Sequence, residues 1–296
     1  MSKTDSEMAG RPPESPAAFL ALMASGVFWG LIWIPLKFVG ELGLTGHTIS
    51  LSAYVLLAAL SLPVLLRQRH LWRSEWRLLL VIGLFFGCAN IAFTSALMLG
   101  PVVRAMLLFY LLPAWGAIGG KLFLNERLGW RRLLAVGLSL GGVAVILAAA
   151  DAWRAPLSLA DAMALAAGLC YTAAGIANRK ALAIPLASRT LVTFVGSAVL
   201  AGLGLLFLTP AMPQLSAVHW LLLAVFALLW LLGGSLMTTY GVTHVEASRA
   251  AVLQVVELLV AVVSAVLLGG EVLRLQEWIG GAMIVGATVL EARSAQ

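Results

Sequence analysis

An internal duplication constrains the fold of this chain more than any other feature of its sequence. Residues 104–145 align without a gap on residues 249–290, and the matches include residues that are rare in apolar segments. They pair Arg104 with Arg249, Glu126 with Glu271, and Gly141 with Gly286. A repeat of this length indicates that the chain is built from two similar halves.

The composition of the chain suits lipid and not water. Hydrophobic residues make up 61% of its 296 residues and charged residues 11%, whereas about a quarter of a soluble domain is charged. Mean hydropathy is +1.00. The net charge of +6 could suggest nucleic-acid binding, but the positions of the cations follow membrane topology instead. We therefore expect one membrane domain, with the lipid bilayer as its surroundings and no nucleic-acid partner.

Apolar segments that could cross a bilayer recur along the whole chain. A transmembrane helix needs about 20 apolar residues. We number the predicted spans one to ten: 17–39, 49–66, 78–99, 103–124, 133–150, 162–178, 191–208, 220–242, 250–268 and 275–290. Span ten is the least apolar, and its match to span five in the duplication is the reason to include it. The predicted fold is an all-α polytopic membrane protein with ten transmembrane helices.

The distribution of Lys and Arg orients these spans. With the amino terminus inside, cytoplasmic segments hold 15 of the 19 Lys and Arg residues and outside segments hold 4. The outside cations are Lys37, Arg104, Arg154 and Arg274. Cytoplasmic loops carry the excess of positive charge in membrane proteins. The sequence therefore predicts that both termini lie in the cytoplasm.

The two halves have opposite orientations, because each contains five spans. A second match supports this arrangement by pairing Gly26 with Gly168, Trp29 with Tyr171, and Lys37 with Arg179. We predict a disordered tail at 1–16, a first half at 17–150, a periplasmic linker at 151–161 and a second half at 162–296. Inverted repeats are the architecture of secondary transporters, which open a midplane site to each side of the membrane in turn.

Several local motifs point to a known family. They are WGLIWIPLK in span one, the run from Pro113 to ERLGW at Trp130, and EVLRLQEWIGG after span nine. With the two five-span halves, they resemble the EamA-type drug/metabolite transporter superfamily over the whole chain except its tail. YLLP at Tyr110–Pro113 is most similar to the YddG-type amino-acid exporters. The resemblance implies export of amino acids or related compounds across a bacterial inner membrane.

One position departs from the family pattern. Many members have a proline after the acidic residue of the ninth span, whereas here Glu257 is followed by Leu258. This departure puts in doubt any hinge that the family would have there.

Glu257 is the one carboxylate deep within a span. An unpaired charge there costs about 3 kcal/mol, so such residues usually face a cavity or a partner. Glu257 could be the counter-charge for a substrate amine, a proton carrier, or both, or it could brace neighbouring helices as a hydrogen-bonded side chain. Gln254 lies one turn earlier on the same helical face. We predict that both contact the substrate.

Four further side chains lie at comparable depth in other spans. They are Trp33, Asn90, Tyr110 and Tyr171. An apolar cavity with a few polar groups is the expected form of a small-metabolite site. Aromatic residues within spans more often pack or anchor the helix, so the prediction of substrate contact depends on these four converging.

Other polar features have simpler explanations. Arg104 and Arg249 begin spans, where an arginine anchors a helix at the membrane edge, although gating is an alternative. Glu126 and Glu271 end spans, where capping of a helix or a loop contact is expected. Gly26 and Gly30 form a G-x-x-x-G motif, as do Gly116 and Gly120, which lets helix backbones approach closely.

No motif indicates an enzyme. The G-x-S-x-G pattern at 137–141 lies within a span and not at a strand-to-helix turn. Neither the two cysteines nor the four histidines have metal-ligand spacing. We expect no catalytic residue, no metal and no cofactor. The predicted function is export of a small molecule, an amino acid or related metabolite, by a monomer or homodimer. A broad drug/metabolite permease is the runner-up, ahead of a membrane-embedded enzyme or a channel.

Overall fold

A computed structural model describes residues 16–124, 129–149, 158–206, 216–244 and 247–294. Residues 1–15 of the predicted tail, residues 151–157 of the predicted linker, and Glu126 lie outside these ranges. Regular structure in the described ranges is helical throughout. Seven of the described helical stretches are long and apolar enough to cross a membrane, and three shorter apolar helices correspond to spans five, nine and ten.

The helices follow the predicted spans closely. The first half contains α1 (Pro16–Gly30), α2 (Trp33–Glu41), α3 (Gly46–Arg67), α4 (Arg69–Trp72), α5 (Trp76–Leu99), α6 (Val102–Phe109), α7 (Leu112–Leu124) and α8 (Trp130–Ala149). The second half contains α9 (Leu159–Lys180), α10 (Leu186–Gly204), α11 (Ala217–Val225), α12 (Gly234–His244), α13 (Ala247–Leu267) and α14 (Leu275–Ser294). A π-helix, Phe226–Gly233, joins α11 to α12.

Spans one and four are each broken into two helices. The breaks lie at Leu31–Ile32 and at Tyr110–Leu111. Each break lies about one turn before a proline, Pro35 or Pro113. A proline has no backbone N–H to donate and clashes with the carbonyl one turn earlier, so the helix ends and restarts around it. The breaks place non-helical backbone within the membrane, where it is tolerated only inside protein or along a cavity.

The break in span one is stabilised by an indole from span eight. Trp230 Nε1 of the π-helix donates a hydrogen bond of 2.8 Å to the carbonyl oxygen of Phe28, just before the break. Trp29 Nε1 donates to Thr238 Oγ1 at 3.0 Å. These bonds hold α1 against span eight of the other half.

The helix interfaces between the two halves follow the duplication. α5 packs on α9, and the equivalent pair in the duplication, α12 and α1, also packs together. Three further interfaces join equivalent spans: α3 with α10, α8 with α14, and α6 with α13. At the centre lies α6, in which seven of the eight residues are buried and only Arg104 is partly exposed. This arrangement fits a polytopic membrane protein with two repeats.

Helix α9 begins earlier than span six predicts, at Leu159, and takes in the end of the predicted linker. A capping box explains the earlier start. Ser158 Oγ accepts from the Asp161 amide at 3.1 Å, and the Asp161 carboxylate accepts from the Ser158 amide at 3.0 Å. Reciprocal bonds of this kind satisfy two donors at a helix start.

Candidate functional site

Glu257 lies on α13 where α1 crosses it at backbone distance. A Cβ added to Gly30 would lie 2.7 Å from the Glu257 carbonyl oxygen, and one added to Gly26 would lie 3.4 Å from the Glu257 nitrogen. The prediction of close packing is confirmed for this pair of glycines. For Gly116, no atom lies within 4 Å of an added Cβ. Contact with α1 fixes where the α13 backbone, and so the base of the Glu257 side chain, can lie.

Tyr110 is the hydrogen-bond partner of Glu257. Its hydroxyl donates to the Glu257 carboxyl across the α6–α13 interface. Tyr110 follows the last residue of α6 at the break in span four, and its side chain is buried. The break points this phenol at the carboxylate of the other half. The bond therefore joins equivalent spans of the two halves deep within the bundle.

Aromatic rings extend from Tyr110 to Tyr171. Phe109 lies 5.5 Å from the Tyr110 ring and 5.6 Å from the Tyr171 ring, both edge to face. Phe86 of α5 meets Tyr171 edge to face at 5.2 Å. Tyr171 also interacts electrostatically with Glu257. The structure thus brings together three of the six predicted residues, Glu257, Tyr110 and Tyr171, and adds Phe86 and Phe109, which the sequence did not single out.

Two other predicted residues contact neighbouring helices. Trp33 is 5% exposed, and its Nε1 donates to Ser264 Oγ of α13 at 2.9 Å. Asn90 Nδ2 of α5 donates to Ser197 Oγ of α10 at 2.9 Å. Gln254 lies on α13 one turn before Glu257, and its side chain is outside the described part of the chain. Substrate contact stays a prediction for all six residues.

Charged side chains gather at the end of the bundle that the sequence assigns to the outside, here called the outer end. Arg104 binds Asp161 through two hydrogen bonds, Nε to Oδ1 at 2.6 Å and Nη2 to Oδ2 at 2.9 Å. The Asp161 side chain is 5% exposed and that of Arg104 15%. Arg104 is therefore a partner in a buried ion pair and not the membrane-edge anchor that the sequence suggested.

Glu271 caps the start of α6 at the same end. Its carboxylate accepts from the Val102 amide at 2.6 Å and from the Val103 amide at 3.0 Å. Lys37 Nζ lies 3.9 Å from Glu271 Oε1. A carboxylate at a helix N-terminus satisfies orphan amides and the positive end of the helix dipole. The capping role expected for Glu271 is confirmed, and each of these contacts runs from one half to the other.

A cavity of about 350 Å³ opens at the outer end. Its lining includes Arg104, Glu271, Arg274 and Glu277, and none of its residues belongs to the group around Glu257. The cavity therefore marks the surface of the ion-paired end and not the predicted substrate site. Among the described residues, no group of three or more His, Cys, Asp or Glu side chains could hold a metal ion.

Both the sequence and the fold of this chain are similar to those of known proteins. The model of the EamA-like transporter family matches residues 16–148 and again residues 158–292. No curated protein matches the chain. A solved structure, described only as the crystal structure of a protein, is similar with a TM-score of 0.60 and 20% identity. That likeness covers 94% of this chain and 98% of the other, and it shows the fold alone.

Proposed function

This chain belongs to the EamA-like transporter family, and we propose that it exports amino acids or related amine-bearing metabolites as a secondary transporter. The family transports drugs and metabolites, and the two matches account for two repeats. The similarity of YLLP at Tyr110–Pro113 to the YddG-type exporters supports an amino-acid cargo.

The observation that carries the proposal is the environment of Glu257. Tyr110 donates a hydrogen bond to this carboxyl, and no Lys, Arg or His of the described residues forms an ion pair with it. An ionised carboxylate without a cation is costly at this depth, by about 3 kcal/mol. A cargo ammonium would supply the missing positive charge. The aromatic faces of Tyr171 and Phe109 would contact its apolar part and can also stabilise a cation.

Alternating access is the second element of the proposal. The contacts at the outer end join the two halves, so they must separate before cargo can leave on that side. The duplication places Arg249 and Glu126 at the inner end as the equivalents of Arg104 and Glu271. Glu126 and the Arg249 side chain lie outside the described part of the chain. We infer that the two ends open in turn around Glu257.

The proposed topology is ten transmembrane helices, with both termini in the cytoplasm of a bacterial cell. The seven long stretches and three shorter apolar helices support that number. In a variant that lacks the two native cysteines, a cysteine at His70 should be labelled from the cytoplasm and one at Arg274 from outside. Labelling of both from the same side would contradict the five-plus-five arrangement.

Uptake into proteoliposomes tests the function directly. Radiolabelled amino acids and a set of hydrophobic amines are offered with and without a pH gradient, to the wild type and to Glu257→Gln. Glu41→Gln is the matched control, because it removes an exposed carboxylate at the end of α2. Amino-acid uptake by the wild type and by the control is the expected result. No uptake of any amino acid would contradict the proposed cargo.

The Glu257→Gln result separates the three roles of this residue. A brace needs only a hydrogen bond, which Gln supplies at nearly the same volume, so transport would persist. A proton carrier would lose gradient-driven accumulation and keep downhill exchange. A counter-charge would lose affinity for amine-bearing cargo under every gradient, which is the result we expect.

A broad permease for hydrophobic amines is the second candidate. The rings of Phe86, Phe109 and Tyr171 favour it, because an aromatic surface does not select one side chain. Transport of hydrophobic amines at rates equal to those of amino acids would support this candidate over the amino-acid exporter.

A further inference from the structure

The two cysteines of the chain lie on helices from different halves. Cys88 is on α5 and Cys170 on α9. The register of this antiparallel pair is given by contacts on both sides of the cysteines. Phe86 meets Tyr171, and an added Cβ on Gly100 would lie 2.7 Å from the Ala160 Cβ. This register sets Cys88 level with Cys170.

Cys88 and Cys170 therefore lie side by side across the interface of two closely packed helices. Both are free thiols and neither is part of a disulfide. Cys88 is exposed and Cys170 is partly exposed, so the pair lies at an accessible edge of the α5–α9 interface. Two free thiols at the same level of two adjacent helices can present two soft sulfur donors to one ligand, and soft metals and metalloids select such donors.

We propose that Cys88 and Cys170 form a dithiol site for thiophilic metalloids and metals, with trivalent arsenicals as the ligand class. An arsenic(III) oxide of the form R–As=O reacts with both thiols to give R–As(S–Cys)₂ and water. Two As–S bonds form, the oxide oxygen leaves with both thiol protons, and no oxidation state changes. The product covalently joins the first half to the second, beside Tyr171. Binding of an arsenical by these thiols does not depend on which cargo the protein transports.

The purified full-length chain allows a direct test, because it contains no other cysteine. Phenylarsine oxide is the probe. The wild type should take up one phenylarsenic group and lose both free thiols, and the adduct should survive a wash with a monothiol. The dithiol 2,3-dimercaptopropanol should remove it. Two-point attachment raises apparent affinity through effective concentration, so Cys88→Ser and Cys170→Ser should each bind at least roughly a hundredfold more weakly.

The serine variants differ by one atom from the native side chains, and unchanged cargo uptake shows that they are folded. Retention of the arsenical by either variant at wild-type strength, or an adduct on the wild type that a monothiol removes, would overturn the proposal. Dibromobimane gives an independent measurement on the native chain. It fluoresces only after both of its arms have alkylated thiols, so the wild type should fluoresce and both variants should stay dark. A dark wild type would also overturn the proposal.

Discussion

The carboxylates of the outer end and the carboxylate in the middle of the bundle have opposite surroundings. Asp161 accepts two hydrogen bonds from Arg104 and one from Ser158, and Glu271 accepts two from backbone amides. Glu257 receives a hydrogen bond from Tyr110 and no cation from the described residues. An ionised carboxylate has about four acceptor positions.

This difference separates a structural role from a binding role. Asp161 accepts three hydrogen bonds and Glu271 accepts two, and most of these bonds join the two halves. Among the described residues Glu257 has one hydrogen-bond donor, Tyr110, although it lies where an unsatisfied charge is most costly. We propose that the outer carboxylates close one end of the bundle and that Glu257 binds the cargo.

Arg104→Gln should have the largest effect at the outer end. It leaves Asp161 buried without its cation, and removing one partner of a buried ion pair costs about 3–5 kcal/mol. We expect the outer end to open, so that a cysteine at Val103 in the cysteine-free chain is labelled from outside much faster. The measurement is the labelling rate in intact cells or proteoliposomes.

The double variant Arg104→Gln/Asp161→Asn is the matched control. It removes both charges and leaves side chains that can hydrogen-bond each other, so labelling should return toward the rate of the intact pair. Equal rates in the single variant and the wild type would show that the ion pair does not hold the outer end closed.

Tyr110→Phe should have an intermediate effect in the middle of the bundle. It removes the hydroxyl donor to Glu257 and keeps the ring, and a hydrogen bond to a charged group contributes about 1.5–3 kcal/mol. We expect weaker binding of amine-bearing cargo with unchanged insertion into the membrane, measured as KM for uptake. Tyr171→Phe is the control, because its ring also lies in the group while Tyr110 remains bonded to Glu257. An unchanged KM in Tyr110→Phe would remove Tyr110 from the site.

Trp33→Phe should have the smallest effect. It removes the indole N–H that binds Ser264 Oγ and keeps an aromatic ring in a buried position. The loss of one neutral hydrogen bond costs about 1 kcal/mol. We expect a small loss of thermal stability with the same relative uptake of every cargo. A change in selectivity would instead return Trp33 to the substrate site.

The helices could be predicted from the sequence because apolar length alone specifies them. The breaks in spans one and four were not predicted, although Pro35 and Pro113 each remove a backbone donor near them. The start of α9 was missed although Ser158 and Asp161 have capping-box spacing. That short polar pattern lay in a stretch interpreted as a linker.

The site was predicted only in part, because depth in a span does not specify direction. Trp33, Asn90 and Tyr110 lie at similar depth, yet Tyr110 hydrogen-bonds to Glu257 whereas Trp33 and Asn90 donate to serines. The ion pair of Arg104 with Asp161 joins residues far apart in the chain, and no local pattern indicates which partner a span-end arginine meets. Phe86 and Phe109 carried no signal that distinguished them from other apolar residues of their spans.

The central claim is that Glu257 binds the ammonium group of the cargo, and one double comparison tests it most directly. Uptake of an accepted amino acid and of its analogue without the amino group is measured in the wild type and in Glu257→Gln. The wild type should prefer the amine by about tenfold to a hundredfold, as expected for a charge-assisted hydrogen bond. The variant should take up both compounds with nearly equal affinity. The same preference for the amine in both proteins would contradict the account.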